Sequence, residues 1–371
     1  MKILVCFREG WGSFFMTDKR KILFLQKTNK FAGAENIVIT LMKLLSSKFE
    51  VYYVSPQGPI QEKVENAGLN YVSLPSLSVK SVKSVINQIS PDIIHATDYS
   101  MSALAGIFIN DIPVLSHLHN DPTWITHPLS PRTIVYTLAL PKIQKVVAVS
   151  RSIENEFYYK KNLKNKIVVI PNVVDLKRVI RLSQSDKPNN LSKKNFDLIF
   201  VGRLAYQKNP ILFCKIVKEI KNKKKDVQAI MVGDGELREK VAEYILDNNL
   251  SNNITMTGYQ ENPYPFFNHS KIYVLPSRFE GFGLSAVEAM TLGKPVVCGN
   301  VGGLKDVVTE KSGHLCNVFT DYVNEITKLL EDSNYYKIKA DNAKKQASKF
   351  GNLDNYCEKF INIYNEMLAK K

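Results

Sequence analysis

Short apolar runs alternate with longer amphipathic stretches along nearly the whole chain, and the alternation starts twice. Residues 21–26, 51–54, 92–95, 114–117, 145–149 and 166–170 read as strands, with helices over 34–45 and 60–67. Each strand is followed by a stretch of helical period, which is the βαβ rhythm of a parallel sheet covered on both faces. Residues 175–195 break the rhythm with a polar Ser-, Asn- and Lys-rich run that reads as an interdomain linker. The rhythm then restarts. Strands are predicted at 197–201, 229–232, 254–257, 272–275 and 296–298, and a helix over 210–220 opens on Pro210. Two α/β halves joined by a linker imply a cleft between them, and ligands in open α/β sheets bind beyond the carboxyl ends of the strands.

The expected division is a first domain over 1–175, a linker over 176–195, a second domain over 196–350 and a helical segment over 351–371 packing back on the first domain. Residues 1–20 are either an additional edge strand or an extension, with Met16 an alternative start. The 371 residues suit two domains and bury enough surface to fold without covalent staples. No apolar run approaches the roughly 20 residues of a membrane span. Met1–Cys6 is apolar, but Arg8 and Glu9 interrupt it too soon for a secretory signal. The five cysteines form no C-x-x-C pair, which fits reduced thiols and a cytoplasmic setting. The net charge of +15 is uneven: residues 1–200 carry 26 Lys and Arg against 15 Asp and Glu, and residues 201–371 carry 24 against 20. Such a field attracts anionic partners. No zinc-finger spacing or ribonucleoprotein aromatic motif accompanies it, so nucleic acid is not expected.

Four loops at predicted strand ends hold the chemistry. Phe31-Ala32-Gly33-Ala34-Glu35 leads small residues into a helix, whose first N–H groups suit an anion. Val201-Gly202-Arg203-Leu204 places Arg203 and Lys208 in one loop, a fork and a point charge for phosphate oxygens. Val232-Gly233-Asp234-Gly235 is a glycine turn without the third glycine and later acid of a dinucleotide fingerprint. Residues 276–290 carry Glu280, then Gly281, Phe282, Gly283 and Leu284, then Glu288 on the following helix. Each loop alone is also compatible with a plain turn or a solvated face.

Together they resemble the family 4 retaining glycosyltransferases (glycosyl transferases group 1). Residues 280–288 match the E-x7-E motif, and 201–209 the G-R-L…K loop. Residues 231–236 match the V-G-x-G turn, 147–150 and 170–175 the close of the first domain, and 32–35 the G-G-x-E loop. The resemblance runs from about residue 21 to the end of the chain, in order. It departs where Ala32 and Val173 replace glycines and where Asn120 stands in place of an Asp. The resemblance implies the GT-B fold, two Rossmann-like domains facing across a cleft. It also implies a role for each matching residue. Arg203 and Lys208 would hold the donor diphosphate, and Glu288 the ribose. Glu280 with the backbone of Gly281–Leu284 would hold the donor sugar. His119 would sit at the sugar, Gly33 and Ala34 against phosphate or acceptor, and Gly202, Gly233 and Gly235 in the turns around the donor. Ser150 is a weaker candidate, His95 and His117 read as structural, and residues 258–263 would read the base.

The implied activity is metal-independent transfer of a sugar, with retention, from a UDP- or GDP-sugar to a glycan or lipid-linked acceptor in polysaccharide assembly. No cofactor and no metal are expected. The alternatives are a sugar-nucleotide epimerase or phosphorylase on the same fold, or a non-catalytic partner subunit. Residues 77–89 have the spacing of a basic amphipathic helix, for a core or for an anionic membrane surface at the inner face. Nothing in the sequence fixes an oligomeric state.

Overall fold

The computed structural model describes residues 19–163, 165–185 and 195–369. The first sheet has seven parallel strands: β1 (Lys21–Leu25), β2 (Glu50–Pro56), β3 (Asn70–Leu74), β4 (Ile93–Thr97), β5 (Val114–Leu118), β6 (Ile143–Ala148) and β7 (Ile167–Val169). Their order is β3-β2-β1-β4-β5-β6-β7. The second has six: β8 (Phe196–Val201), β9 (Ala229–Val232), β10 (Ile254–Gly258), β11 (Ser270–Leu275), β12 (Val296–Gly299) and β13 (Gly313–Cys316), in the order β10-β9-β8-β11-β12-β13. All strand pairs are parallel. In both sheets the order reverses beside the first strand, where the crossovers leave a crevice.

Helices cover both faces, so the central strands bury every residue and read as continuous apolar runs. Every strand expected from sequence is present; β3 and β13 were not expected. β3 lies at a sheet edge and keeps only Leu74 fully buried, so its sequence NYVSL lacks the apolar run. β13 (GHLC) is four residues long, opens on glycine and also lies at an edge.

Three apolar clusters form the core. One fills the outer face of the first sheet, one the outer face of the second, and the third contains residues of both sheets. The chain crosses between the sheets twice. The polar stretch after residue 175 holds a helix, Leu176–Ser183, capped by the Asp175 carboxylate, which accepts the Arg178 N–H at 2.9 Å. The second crossing leads into the helix Leu353–Ala369. That helix buries Tyr356, Phe360, Ile363, Tyr364 and Met367 in the cluster containing Ile37, Leu41 and Phe49 of the first domain. The two crossings touch, with the Val174 N–H donating to the Phe350 carbonyl at 2.8 Å.

Of the two readings of residues 77–89, the structure supports the core-facing one. The helix at 77–89 is Val79–Ile89, and its apolar residues Val82, Val85, Ile86 and Ile89 are all buried. Its moment points into the core, leaving Lys80 and Lys83 to water, so this helix has no apolar face for a membrane surface. The question of an edge strand before residue 19, and Met16 with it, lies outside the described residues. No helix among the described residues is long and apolar enough to cross a membrane.

Candidate active site

The carboxyl ends of the two sheets face each other, and the residues singled out above meet there. On the first-domain side, the helix Gly33–Leu45 begins directly after the β1 loop, with Ala32 extended at its N-cap. Glu35 is the third residue of the helix, beside the backbone amides of its first turn. It is buried, and burial raises its carboxyl above the usual range, while those amides draw it down. Gly33 abuts the second domain: a methyl placed there would lie 3.3 Å from Leu284 Cδ1.

His119 follows β5. It is 5% exposed, and neither ring nitrogen has a partner in the protein. Burial pulls its pKa down to about 3, so the ring is neutral at physiological pH. A neutral imidazole offers one donor and one acceptor. Two unpaired buried nitrogens at a cleft wall leave that capacity to a ligand. His95 and His117 lie beneath it. His95 Nε2 and His117 Nδ1 are 2.9 Å apart, Tyr364 Oη is 2.7 Å from His95 Nδ1, and the His117 and His119 ring centroids are 4.0 Å apart. Both are fully buried and held well below the usual histidine pKa by burial. Asp98, one residue past β4, adopts a left-handed φ of 59°. Its carboxylate accepts the His119 N–H at 3.0 Å and Asn120 Nδ2 at 3.2 Å, which fixes the backbone under the ring. Ser150 is buried, with no protein partner for its hydroxyl.

On the second-domain side, the loops after β8 and β11 are laced together. The Arg278 N–H donates to the Gln207 carbonyl at 2.8 Å, and Gln207 Nε2 to the Phe279 carbonyl at 3.1 Å. This lacing brings Lys208 onto Glu280 as an ion pair, with both side chains mostly buried. Gly202 lies against the Lys208 stem and Gly235 against the Leu204 backbone. A methyl on Gly233 would fall 1.9 Å from the Gly202 carbonyl oxygen, so only glycine lets these two turns touch. The Gly233 N–H donates to the Gly258 carbonyl at 2.9 Å, which sets the 258–263 loop beside them. Arg203 is exposed and has no ion-pair partner among the described residues. Its charge faces the first domain, where it draws down the Glu35 carboxyl.

Gly283 caps the helix Leu284–Thr291 with a left-handed φ of 99°. The helix therefore starts with its N–H groups aimed along the loop holding Glu280. Phe282 is buried with its ring 5.4 Å from that of Phe350, and Leu284 packs on apolar clusters of both domains. Glu288 is half-buried and accepts the Tyr264 hydroxyl at 2.9 Å. Burial raises its carboxyl, while Tyr264, Arg178 and Lys208 pull it back. The two domains approach tightly at Gly281, where a methyl would lie 1.8 Å from the His119 carbonyl oxygen.

The structure thus brings together Arg203, Lys208, Glu280, Glu288, the 281–284 backbone, His119, Gly33 and Ala34. Residue reading missed Asp98, Arg178, Tyr264 and Asp121. Arg178 sits in the stretch read as linker, and Asp98 and Tyr264 fall in no motif. Asp121 is buried with one carboxylate oxygen unpaired and the other accepting Ser152 Oγ at 2.8 Å. Burial pushes its pKa up to about 7. No group of three His, Cys, Asp or Glu among the described residues is placed to hold a metal ion.

A cleft with a free guanidinium, a lysine–glutamate pair, a helix N-terminus and a buried neutral imidazole has the parts to hold a phosphorylated sugar. Comparison with known proteins agrees. Residues 183–348 match the model of the glycosyl transferases group 1, and residues 31–178 that of glycosyltransferase family 4. An uncharacterized glycosyltransferase of Methanocaldococcus jannaschii is 28% identical over 290 residues, 70% of each chain. An N-acetylgalactosaminyltransferase of Campylobacter jejuni, acting on a diphospho-undecaprenol-linked sugar, is 23% identical over 86% of this chain and 92% of its own. The crystal structure of Anabaena HepE with UDP and glucose superimposes with a TM-score of 0.82 at 22% identity, over 94% of this chain and all of that one. The chain belongs to the family 4-type group 1 glycosyltransferases and has their GT-B fold.

Proposed function

We propose that the protein moves a sugar from a UDP-sugar, with retention at the anomeric carbon, to the hydroxyl of a lipid-linked glycan. The observation that carries this reading is the charge arrangement at the second-domain edge. Lys208 is already neutralised by Glu280, whereas Arg203 stands free at the cleft mouth. A diphosphate between them and the Leu284–Thr291 N-terminus would receive a forked pair of N–H bonds, a point charge and the helix dipole. Glu288, at the next level of that helix, suits the ribose hydroxyls once Tyr264 yields. UDP bound to a structural relative, and a lipid diphosphate acceptor used by a sequence relative, support the choice of donor and acceptor.

In this mechanism the bond from the anomeric carbon to the β-phosphate oxygen breaks and a bond to the acceptor oxygen forms on the same face. The acceptor proton passes to the departing phosphate oxygen. Arg203, Lys208 and the helix N–H groups stabilise the charge that grows on the leaving diphosphate, the effect that usually dominates. His119 hydrogen-bonds a donor-sugar hydroxyl, and Glu280 orients the sugar instead of attacking it. No metal is required, so turnover should survive chelation.

Thermal unfolding with UDP, GDP, ADP and CMP tests the donor site. At one hundred times its dissociation constant a ligand adds about 2.7 kcal/mol of stability. Stabilisation by UDP that disappears in Arg203→Ala and Glu288→Ala is the expected result. Stabilisation by another nucleotide corrects the base, and none by any nucleotide refutes the reading.

A further inference from the structure

One face of the first domain is apolar where water-facing surface is ordinarily polar. The helix Pro131–Ala139 turns Thr133, Tyr136 and Ala139 inward, so Arg132, Ile134, Val135 and Leu138 point out. Leu129, just before it, is 84% exposed and Leu138 is 67% exposed. The end of the helix Asp98–Phe108 lies alongside, because Gly106 packs on Ala139, and it adds Ile107 and Phe108, both exposed. Isolated exposed apolar residues are ordinary; five on two adjacent helices, with Leu129 beside them, mark an interaction surface.

The charges along the Pro131–Ala139 side of this strip are positive, and the acid nearest the other helix end is Asp111. Residues 122–150 contain no Asp or Glu. Arg132 and Lys142 flank the strip. Lys160 and Lys161 follow the neighbouring loop, which is tied to it where the Tyr158 N–H donates to the Ile125 carbonyl at 3.0 Å. All four are exposed and form no ion pair among the described residues. The side chains project outward from the helix surface, which suits a deformable partner. The helix follows β5, so its first turn lies at the cleft end of the sheet, one loop from His119.

We propose that this face docks on an anionic lipid bilayer, with Leu129, Ile134, Val135 and Leu138 in the interface and Arg132 and Lys142 on headgroup phosphates. Its purpose rests on the lipid-linked acceptor proposed above, but its test does not. The assay is flotation with phosphatidylcholine vesicles, with and without phosphatidylglycerol, at low salt. Wild type should float only with phosphatidylglycerol. Leu129→Ser with Leu138→Ser should weaken binding on the order of tenfold. Arg132→Gln with Lys142→Gln should weaken it roughly fivefold per cation. Lys80→Gln with Lys83→Gln removes the same charge elsewhere and should matter much less. Failure of wild type to float, wild-type binding by the leucine variant, or an equal loss in the Lys80/Lys83 control overturns the proposal. So does a wild-type dimer, seen by sedimentation, that the leucine variant abolishes. UDP stabilisation, measured separately, should be the same in every variant; its absence in wild type would count against the donor site and leave the docking face standing.

Discussion

Replacing Gly281 by alanine should separate binding from turnover. A methyl at this position would sit 1.8 Å from the His119 carbonyl oxygen. An ordinary carbon–oxygen contact is about 3.3 Å, so something must give by about 1.5 Å (3.3 − 1.8). The His119 carbonyl follows a fully buried strand, and its N–H is held by Asp98. The 280–283 loop is anchored by the Gly303 N–H on the Glu280 carbonyl at 2.7 Å. Neither side yields locally, and the cheaper response is for the domains to part. Each domain keeps its outer cluster, so the melting temperature should change little. UDP stabilisation should persist, because the residues proposed to hold the diphosphate all lie on the second domain. Displacing the histidine from the donor by an ångström or more costs about a hundredfold in rate, or about 2.7 kcal/mol of barrier. The assay is UDP release from UDP-sugar, with kcat and KM determined separately. A large fall in kcat with donor KM nearly unchanged is expected. Turnover close to wild type would show that this approach of the domains is not the working geometry.

Tyr264→Phe should bind UDP at least as tightly as wild type, because the hydroxyl now on Glu288 would no longer compete with the ribose, whereas Glu288→Gln should bind it more weakly; isothermal titration reads both. The pKa of His119 lies at about 3 in the fold against about 6.5 in the unfolded chain, so the neutral ring stabilises above pH 6.5 and that contribution is lost as pH falls toward 3. At pH 5 the loss is about 2 kcal/mol. Urea unfolding at pH 7 and pH 5 should therefore show a smaller acid penalty in His119→Asn than in wild type. Phe360→Ala removes a fully buried ring from the cluster that joins the Leu353–Ala369 helix to the first domain and should cost about 3–5 kcal/mol by denaturant unfolding.

The fold was legible because both sheets are parallel and covered on two faces, which turns nearly every strand into an apolar run. The missed strands are edge strands, where one face is wet and the run dissolves. At the site, residues in glycine-rich loops at strand ends were legible from chemistry and order. Asp98 and Tyr264 were not, since each acts on a residue far away in sequence, His119 and Glu288. Arg178 was hidden because a helix of composition LKRVIRLS looks polar until Val179 finds its burial. The amphipathic period at 77–89 specifies a helix, but a moment alone does not say whether core or lipid lies beneath it. The face that stays apolar in water, at 129–138, alternates too little to announce itself.

The return of the chain to its first domain has a consequence for how the protein is made. The first sheet is complete once β7 has been synthesised, yet the cluster on one of its faces stays incomplete until Phe360, Tyr364 and Met367 arrive. Domains ordinarily fold in order of synthesis. Here the first one made is the last one finished, and it must wait through translation of the whole second domain with Ile37, Leu41 and Phe49 short of their partners. The final helix then closes the older domain and, by pairing the two crossings, fixes its position against the younger one. A released chain truncated near residue 350 should hold a folded second domain beside a loosely packed first one, the reverse of the usual order.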